Sequence, residues 1–298
     1  MNRNETTIGL LYPGEMGASI ASVLRGGGAT VVTTLRDRGG RTAERCAEMG
    51  IDVLDSLADI ARRANVIISL VPPAAAVDVA ESYAAVAQLA PARAIYVDAN
   101  SISPESAVAI SEVVSGKGVR FVDAAINGLA KNLTTGGTLF VSGSRADDVA
   151  SLFEGSIRVR VLGGEVGAAS TMKMLLGGLS KGLCGLFLEL ALVADRRGML
   201  GEMLEATQEI YPGMQAVVDR MLPTYAEHSV RRASEMRELN AIAQTSGVEP
   251  CVIDAIARLH ELLAHTNFTT ASGADVRSIV RHLRSAGLLS GAEITHGI

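Results

Sequence analysis

The sequence predicts a doubly wound, mostly parallel α/β sheet followed by an all-α C-terminal domain. Two observations carry that expectation. Over residues 7–163, short β-branched or apolar runs alternate with helical stretches, the pattern of a parallel sheet covered by helices on both faces. Beyond Gly163-Gly164 the alternation stops and every further segment has a helical pattern. The domains are therefore expected at 1–163 and 164–298.

Taken in order, strands are expected at 7–11, 30–35, 66–71, 94–97 and 120–122, with helices between them at 43–49, 57–63, 75–89 and 104–115. The Ala-rich stretch 74–94 contains the third of these helices, with small side chains for close contacts. A further pair of strands, 138–142 and 158–162, flanks a helix at 146–153 and extends the sheet. The second domain opens with one long helix at 167–198. Breaks follow at Tyr211-Pro212-Gly213, Leu222-Pro223 and Gly247-Val248-Glu249-Pro250, where proline and glycine interrupt helical hydrogen bonding.

Composition narrows the function classes. The 298 residues are 48% hydrophobic and 20% charged, ordinary for a globular chain large enough for two cores. A formal net charge of −5 offers no electrostatic attraction for nucleic acid or an anionic membrane. No apolar run reaches the roughly 18 residues of a membrane span, and the N-terminus lacks a signal-peptide layout. Cys46, Cys184 and Cys251 are odd in number and widely spaced, so they read as thiols of a reducing compartment. His260 and His265 are badly spaced for a shared metal. The expectation is a cytoplasmic protein without nucleic-acid, membrane or metal partners.

The first strand runs into Tyr12-Pro13-Gly14-Glu15-Met16 and a helix. Helix-start N–H groups and the helix dipole favour phosphate, so this turn is the expected pyrophosphate loop of a dinucleotide-binding (Rossmann) domain. Gly14 lets the backbone approach the phosphates, and Gly17 lets the helix pack on the strand. Tyr12 replaces the first glycine of the usual pattern, and the Glu15 carboxylate must face away from bound phosphate. Near the end of the second strand, Arg36, Arg38 and Arg41 stand where an acidic residue would select NAD. Guanidinium groups suit a 2′-phosphate, so NADP is expected over NAD. The alternative is a solvated basic turn with Asp37 as a partner of the arginines.

Further segments fall at expected strand ends, where ligands of open α/β sheets bind. VIISLVPP (66–73) offers Val71 and Pro72 for the nicotinamide side. VDANSISP (97–104) and FVDAAINGLAK (121–131) follow, and GGEVGAASTMKMLLGGLSKG (163–182) starts the long helix with Lys173 in its first turns. In this order the motifs resemble the β-hydroxyacid dehydrogenase superfamily, which includes phosphogluconate dehydrogenases and imine reductases. The likeness extends over most of residues 7–185. The A-S-x-x-K-M and S-K-G elements at 169–174 and 180–182 are similar to a branch with a poorly characterised phosphogluconate-dehydrogenase-like C-terminal domain.

That resemblance implies hydride transfer between nicotinamide and a small hydroxyacid or oxoacid, with Lys173 as general acid/base. Partial desolvation beside a cationic nicotinamide favours loss of a lysine proton, which suits the role. It also implies that Asn127 and Gly128 hold the substrate carboxylate, and that Asn100 and Ser101 line substrate and nicotinamide. The position four residues after the lysine, an asparagine that binds substrate in the family, is Gly177. The family K-D-L segment is replaced by Ser234-Glu235-Met236. Arg231 and Arg232 lie one turn earlier, free for an ion pair with Glu235 or for an anionic substrate. Imine reduction and a catalytically silent NADP sensor remain as alternatives. Met174, Leu175, Leu179, Leu183, Leu186 and Leu190 give the long helix an apolar face that predicts a homodimer through the helical domain.

Overall fold

The computed structural model describes residues 3–36, 39–265 and 275–285. The chain forms two compact units, divided between Lys173 and Met174.

The first unit is built on one eight-stranded sheet, ordered β3-β2-β1-β4-β5-β6-β7-β8. Its strands are β1 (Thr7–Leu11), β2 (Thr30–Thr34), β3 (Asp52–Leu54), β4 (Val66–Ser69), β5 (Ile95–Asp98), β6 (Arg120–Asn127), β7 (Thr138–Ser142) and β8 (Arg158–Val161). The helices are α1 (Glu15–Gly26), α2 (Gly40–Glu48), α3 (Leu57–Arg63), α4 (Ala76–Ala84), α5 (Pro104–Ser115), α6 (Leu133–Gly136) and α7 (Ala146–Ser151). Central strands are almost wholly apolar because both of their faces are covered. Strand alternation then sorts successive residues into two cores. Ile8, Leu10, Val31, Val66, Ile68 and Val97 join α1 on one side, whereas Leu11, Val32, Ile67 and Tyr96 join α3, α4 and α5 on the other.

Several features differ from the sequence expectation, three of them in the sheet and its helices. β3 was not expected: its three residues pair with β2 at the sheet edge and are largely exposed, so no hydrophobic pattern marks them. β6 runs five residues past Val122, to Asn127, because β7 pairs with it antiparallel and keeps it in the ladder. The helix expected at 75–89 is α4 followed by a separate 3₁₀ turn at Ala87–Leu89.

The long helix, α8 (Ala168–Arg196), spans the division. Its first turn clusters with the first unit, beyond the expected boundary at 163, because backbone N–H groups of that turn bond to side chains of β6 and β7. From Met174 onward it belongs to the second unit with α9 (Leu200–Ile210), α10 (Pro212–Met221), α11 (Ser229–Thr245), α12 (Cys251–Ala264) and α13 (Val276–Ser285). Pro212 opens α10, and α11 and α12 flank the break at 247–250, as the proline and glycine positions dictate. The core of this unit joins Phe187, Leu188, Ala191 and Leu192 of α8 to Tyr225, Met236, Leu239, Leu259 and Leu263. Among the described residues, α8 is the one helix long and apolar enough to cross a membrane. Charged residues such as Lys181 and Glu189 break its apolar run in sequence, and its buried face is the core of the second unit.

Candidate active site at the carboxyl ends of the strands

Parallel strands β1, β4 and β5 end on the same side of the first unit, so the loops that follow them gather there. After β1, Pro13 is buried, Tyr12 and Met16 are half-buried, and Gly14 and Glu15 are exposed. Gly14 is the N-cap of α1, and no side chain caps the helix from that position. Nothing lies within 4 Å of the place a Gly14 Cβ would occupy. Uncapped first-turn N–H groups behind an open backbone fit the phosphates of a dinucleotide. Gly17 is required on the other side: a Cβ there would stand 3.2 Å from the Tyr12 carbonyl oxygen, so glycine permits the close approach of α1 to the strand exit. Glu15 lines a groove of about 470 Å³ together with Ser19, Arg45, Glu48 and Lys131, two cations and a second carboxylate.

Arg36 lies just past β2 and is exposed, and Arg41 is exposed in the first turn of α2. Arg38 falls outside the described residues. These exposed cations follow the strand end at which an adenosine ribose is read in this fold class.

The loop after β4 is held from β5. The Val71 N–H donates to Asn100 Oδ1 at 2.7 Å, fixing the loop that Pro72 continues. Asn100 is buried and its side chain is fully engaged: Nδ2 donates to Ser69 Oγ at 3.0 Å and to Asp98 Oδ2 at 2.9 Å. Its backbone N–H donates to Asp98 Oδ1 at 3.0 Å. Asn100 therefore joins two loops from inside, whereas its neighbour Ser101 is exposed. Burial raises the Asp98 carboxyl to about 7, opposed by the two Asn100 bonds and reinforced by the nearby Asp123 charge.

Lys173 meets this loop directly. Its Nζ donates to Ser101 Oγ at 2.5 Å, a contact between residues 72 positions apart. The turn that carries Lys173 is fastened to the sheet. Asp123 accepts from the Ser170 N–H at 3.0 Å and from Ser170 Oγ at 2.7 Å. Ser142 Oγ donates to Asp123 at 3.1 Å and accepts from the Ala169 N–H at 3.1 Å. Sequence reasoning missed Asp98, Asp123, Ser142 and Ser170. The available signal was the repeated Val-Asp-Ala at 97–99 and 122–124, an acid placed inside an apolar strand each time.

Asn127 ends β6, Gly128 follows it, and both are exposed. Gly128 has φ +151°, and a Cβ there would stand 2.9 Å from the Gly137 Cα, so only glycine fits this exit.

Gly177 lies in the second unit. There the Lys181 Nζ is 3.2 Å from where a Gly177 Cβ would stand, so a side chain at 177 would press on the ammonium. Lys181 is 8% exposed and pairs with Glu235 at 2.8 Å. Glu235 also takes Arg231 at 2.6 Å, the i,i+4 pair expected from sequence. Burial pushes the Glu235 carboxyl upward, and Lys181 and Arg231 outweigh it, holding the group below the usual carboxylate range. Arg232 instead is buried, donating to the Thr224 carbonyl oxygen at 2.8 Å with its guanidinium 5.3 Å from the Tyr225 ring centre. The Lys181 link was not expected, because nothing local in the sequence relates 181 to 235.

Comparison with known proteins agrees with this geometry. Residues 7–156 match the NAD binding domain of 6-phosphogluconate dehydrogenase, and residues 194–263 match a domain of unknown function, DUF1932. A solved conserved protein of unknown function, described as structurally similar to 3-hydroxyacid dehydrogenases, is 30% identical. The alignment covers 86% of this chain and 96% of that one, with a TM-score of 0.71. Glyoxylate/succinic semialdehyde reductase 1 of Arabidopsis thaliana is 28% identical over 208 residues, 66% of this chain and 69% of the plant protein. The 3-hydroxyisobutyrate dehydrogenase of Mycobacterium tuberculosis shares the fold at 18% identity, with a TM-score of 0.75 over 94% of this chain and 99% of that one. A chain half of which matches this domain, with a phosphate-ready turn after β1 and a lysine fixed over the strand ends, belongs to the family of the NAD binding domain of 6-phosphogluconate dehydrogenase and is an NAD(P)-dependent dehydrogenase or reductase.

Proposed function

We propose that the protein transfers hydride between NADP and a small anionic hydroxyacid or oxoacid, with Lys173 as the general acid/base. The observation that carries this reading is the 2.5 Å contact between Lys173 Nζ and Ser101 Oγ, which sets an amine and a hydroxyl together at the strand ends. When bound, the nicotinamide supplies the hydride acceptor or donor. Lys173 takes the proton from the substrate hydroxyl during oxidation and returns it to the carbonyl oxygen during reduction. Ser101 orients the ammonium, and Asn127 with the Gly128 backbone holds the substrate carboxylate. Gly14 and the start of α1 hold the pyrophosphate, while Val71 and Pro72 border the nicotinamide. The lysine favours the hydroxyl/carbonyl couple over imine reduction.

Arg36 and Arg41 support NADP over NAD. Fluorescence titration is expected to show tighter binding of NADPH than of NADH. Arg36→Ala should weaken NADPH by roughly ten- to a hundredfold, the value of one or two charge-assisted hydrogen bonds, with little change for NADH. Equal affinities for the two cofactors in the wild type would remove the arginine assignment.

The reading extends to a cytoplasmic homodimer. Leu175, Leu179, Leu186, Leu190 and Val193 are each at least 48% exposed, recurring along α8 at helical spacing. An apolar stripe of this length on one helix is suited to burial against a second copy. Light scattering after size exclusion is expected to give a dimer mass, and Leu186→Glu with Leu190→Glu a monomer. A wild-type monomer at micromolar concentration would discard the dimer.

A further inference from the structure

Four polar residues stand side by side across four strands. The register pairs Ser69 with Asp98, Asp98 with Asp123, and Asp123 with Ser142. In-register neighbours project from the same face of a sheet, so these side chains form one row. Each is at most 1% exposed, among the buried apolar residues of its strand. Burying two carboxylates in adjacent positions is costly unless each is used in hydrogen bonds.

Both are used, and each faces a different half of the proposed site. Ser69 and Asp98 receive the Asn100 amide, and Asp98 also receives the Asn100 N–H, which sets the loop presenting Ser101. Asp123 and Ser142 receive the N–H groups of Ser170 and Ala169. Those donors belong to the first turn of α8, where N–H groups have no partner inside the helix. The residue before the helix, Gly167, has no side chain with which to cap it. A carboxylate from β6 caps the helix instead, where negative charge also suits the dipole. Lys173 follows Ser170 by three residues, nearly one turn, so fixing Ser170 fixes the direction from which Lys173 leaves the helix.

We infer that the Ser69–Asp98–Asp123–Ser142 row is a positioning device, in which Asp98 aims Ser101 and Asp123 aims Lys173 so that the two meet. Neither aspartate takes part in proton transfer; each acts through the residue it holds. The inference rests on Lys173 being the acid/base.

The test reads Lys173 without substrate. The sequence holds four lysines, Lys117, Lys131, Lys173 and Lys181. Reductive methylation of the full-length protein with 13C-formaldehyde gives each one an NMR signal, assignable from single lysine-to-arginine variants. In wild type, the Lys173 signal should stand apart from those of the exposed Lys117 and Lys131. In Asp123→Asn it should move to their position, while Lys117, Lys131 and Lys181 stay in place. Ser170→Ala, which deletes only the hydroxyl bond, should move Lys173 part of the way. If Asp123→Asn does not fold, Ser170→Ala and Ser142→Ala decide the matter by the same criterion. A Lys173 signal that stays in place in the folded variants overturns the inference. Because turnover is not measured, failure of the hydride-transfer reading would show up separately, as an active Lys173→Ala enzyme.

Discussion

Lys173→Ala is expected to lower turnover by about 10²- to 10⁴-fold, the usual contribution of a positioned acid/base. NADPH affinity should stay within a few-fold of wild type. The reason for that split is local. Lys173 sits on α8 and contacts Ser101, whereas the phosphate turn lies at 12–16 and the candidate ribose-reading arginines follow β2. Lys173→Arg should be nearly as damaging, because a guanidinium retains its proton throughout the working range and cannot exchange it. The measurement is NADPH oxidation, or NADP reduction, across a panel of oxoacids, hydroxyacids and imines, paired with cofactor titration by fluorescence. Full activity of Lys173→Ala on the substrate so identified would falsify the lysine mechanism. Tight cofactor binding by wild type with no turnover on any panel member would instead favour the sensor reading.

The second large effect is a pH dependence of stability set by Asp98. Its carboxyl is raised to about 7 in the folded protein, from 3.8 when unfolded. Between those values the folded state holds a proton that the unfolded state releases, so the Asp98 contribution falls as pH rises from about 4 to about 7. At pH values above that window the loss amounts to something on the order of 4 kcal/mol, at about 1.4 kcal/mol per pH unit. His260 opposes this trend. It is fully buried, and burial lowers it to about 3, so its contribution is present at neutral pH and is lost on acidification from about 6.5. The two partly cancel in the wild type, which makes the variant the informative measurement. In Asp98→Asn, urea unfolding of the full-length protein should show stability between pH 5 and 7.5 without the decline assigned to Asp98. If wild type and variant differ by the same amount at both pH values, the assignment of that titration to Asp98 is wrong.

Much of the architecture was legible from the chain alone, for physical reasons that differ from element to element. Strands such as 7–11 and 138–142 were recognisable because strands covered on both faces must be apolar throughout. The breaks in the helical domain were recognisable because Pro212 and Pro250 stand at helix starts. β3 was not recognisable, since a three-residue strand exposed at the edge buries too little to leave a pattern. Nor was the helix boundary at 84–87 within an alanine-rich stretch, where side chains are too alike to mark it.

The candidate site divides in the same way. Gly14, Gly17 and the arginines after β2 belong to short local patterns; the glycines alone were weak, and the arginines with the downstream lysine helix raised the expectation of an NADP site. Lys173 stood out through the residues around it and the order of motifs before it. What those residues touch was not encoded locally. Asn100 was expected at the ligand, yet its side chain is spent inside, holding Val71 to Asp98 and Ser69. Gly177 was expected beside substrate, and its neighbour there is the ammonium of Lys181, 3.2 Å from where a Cβ would stand. The Asp123–Ser170 bonds join residues 47 apart, and Lys173 and Ser101 are 72 apart.

By itself, then, the sequence determined the alternation that makes the sheet, the helical second half and the residue types available for cofactor and proton chemistry. Only the tertiary structure decided which of them face one another. Hydrophobic periodicity reports how a residue relates to its own strand or helix, whereas a buried carboxylate finds its donors wherever the sheet register brings them. The row from Ser69 to Ser142 exists because four separate strands align, and no single segment of the chain contains it.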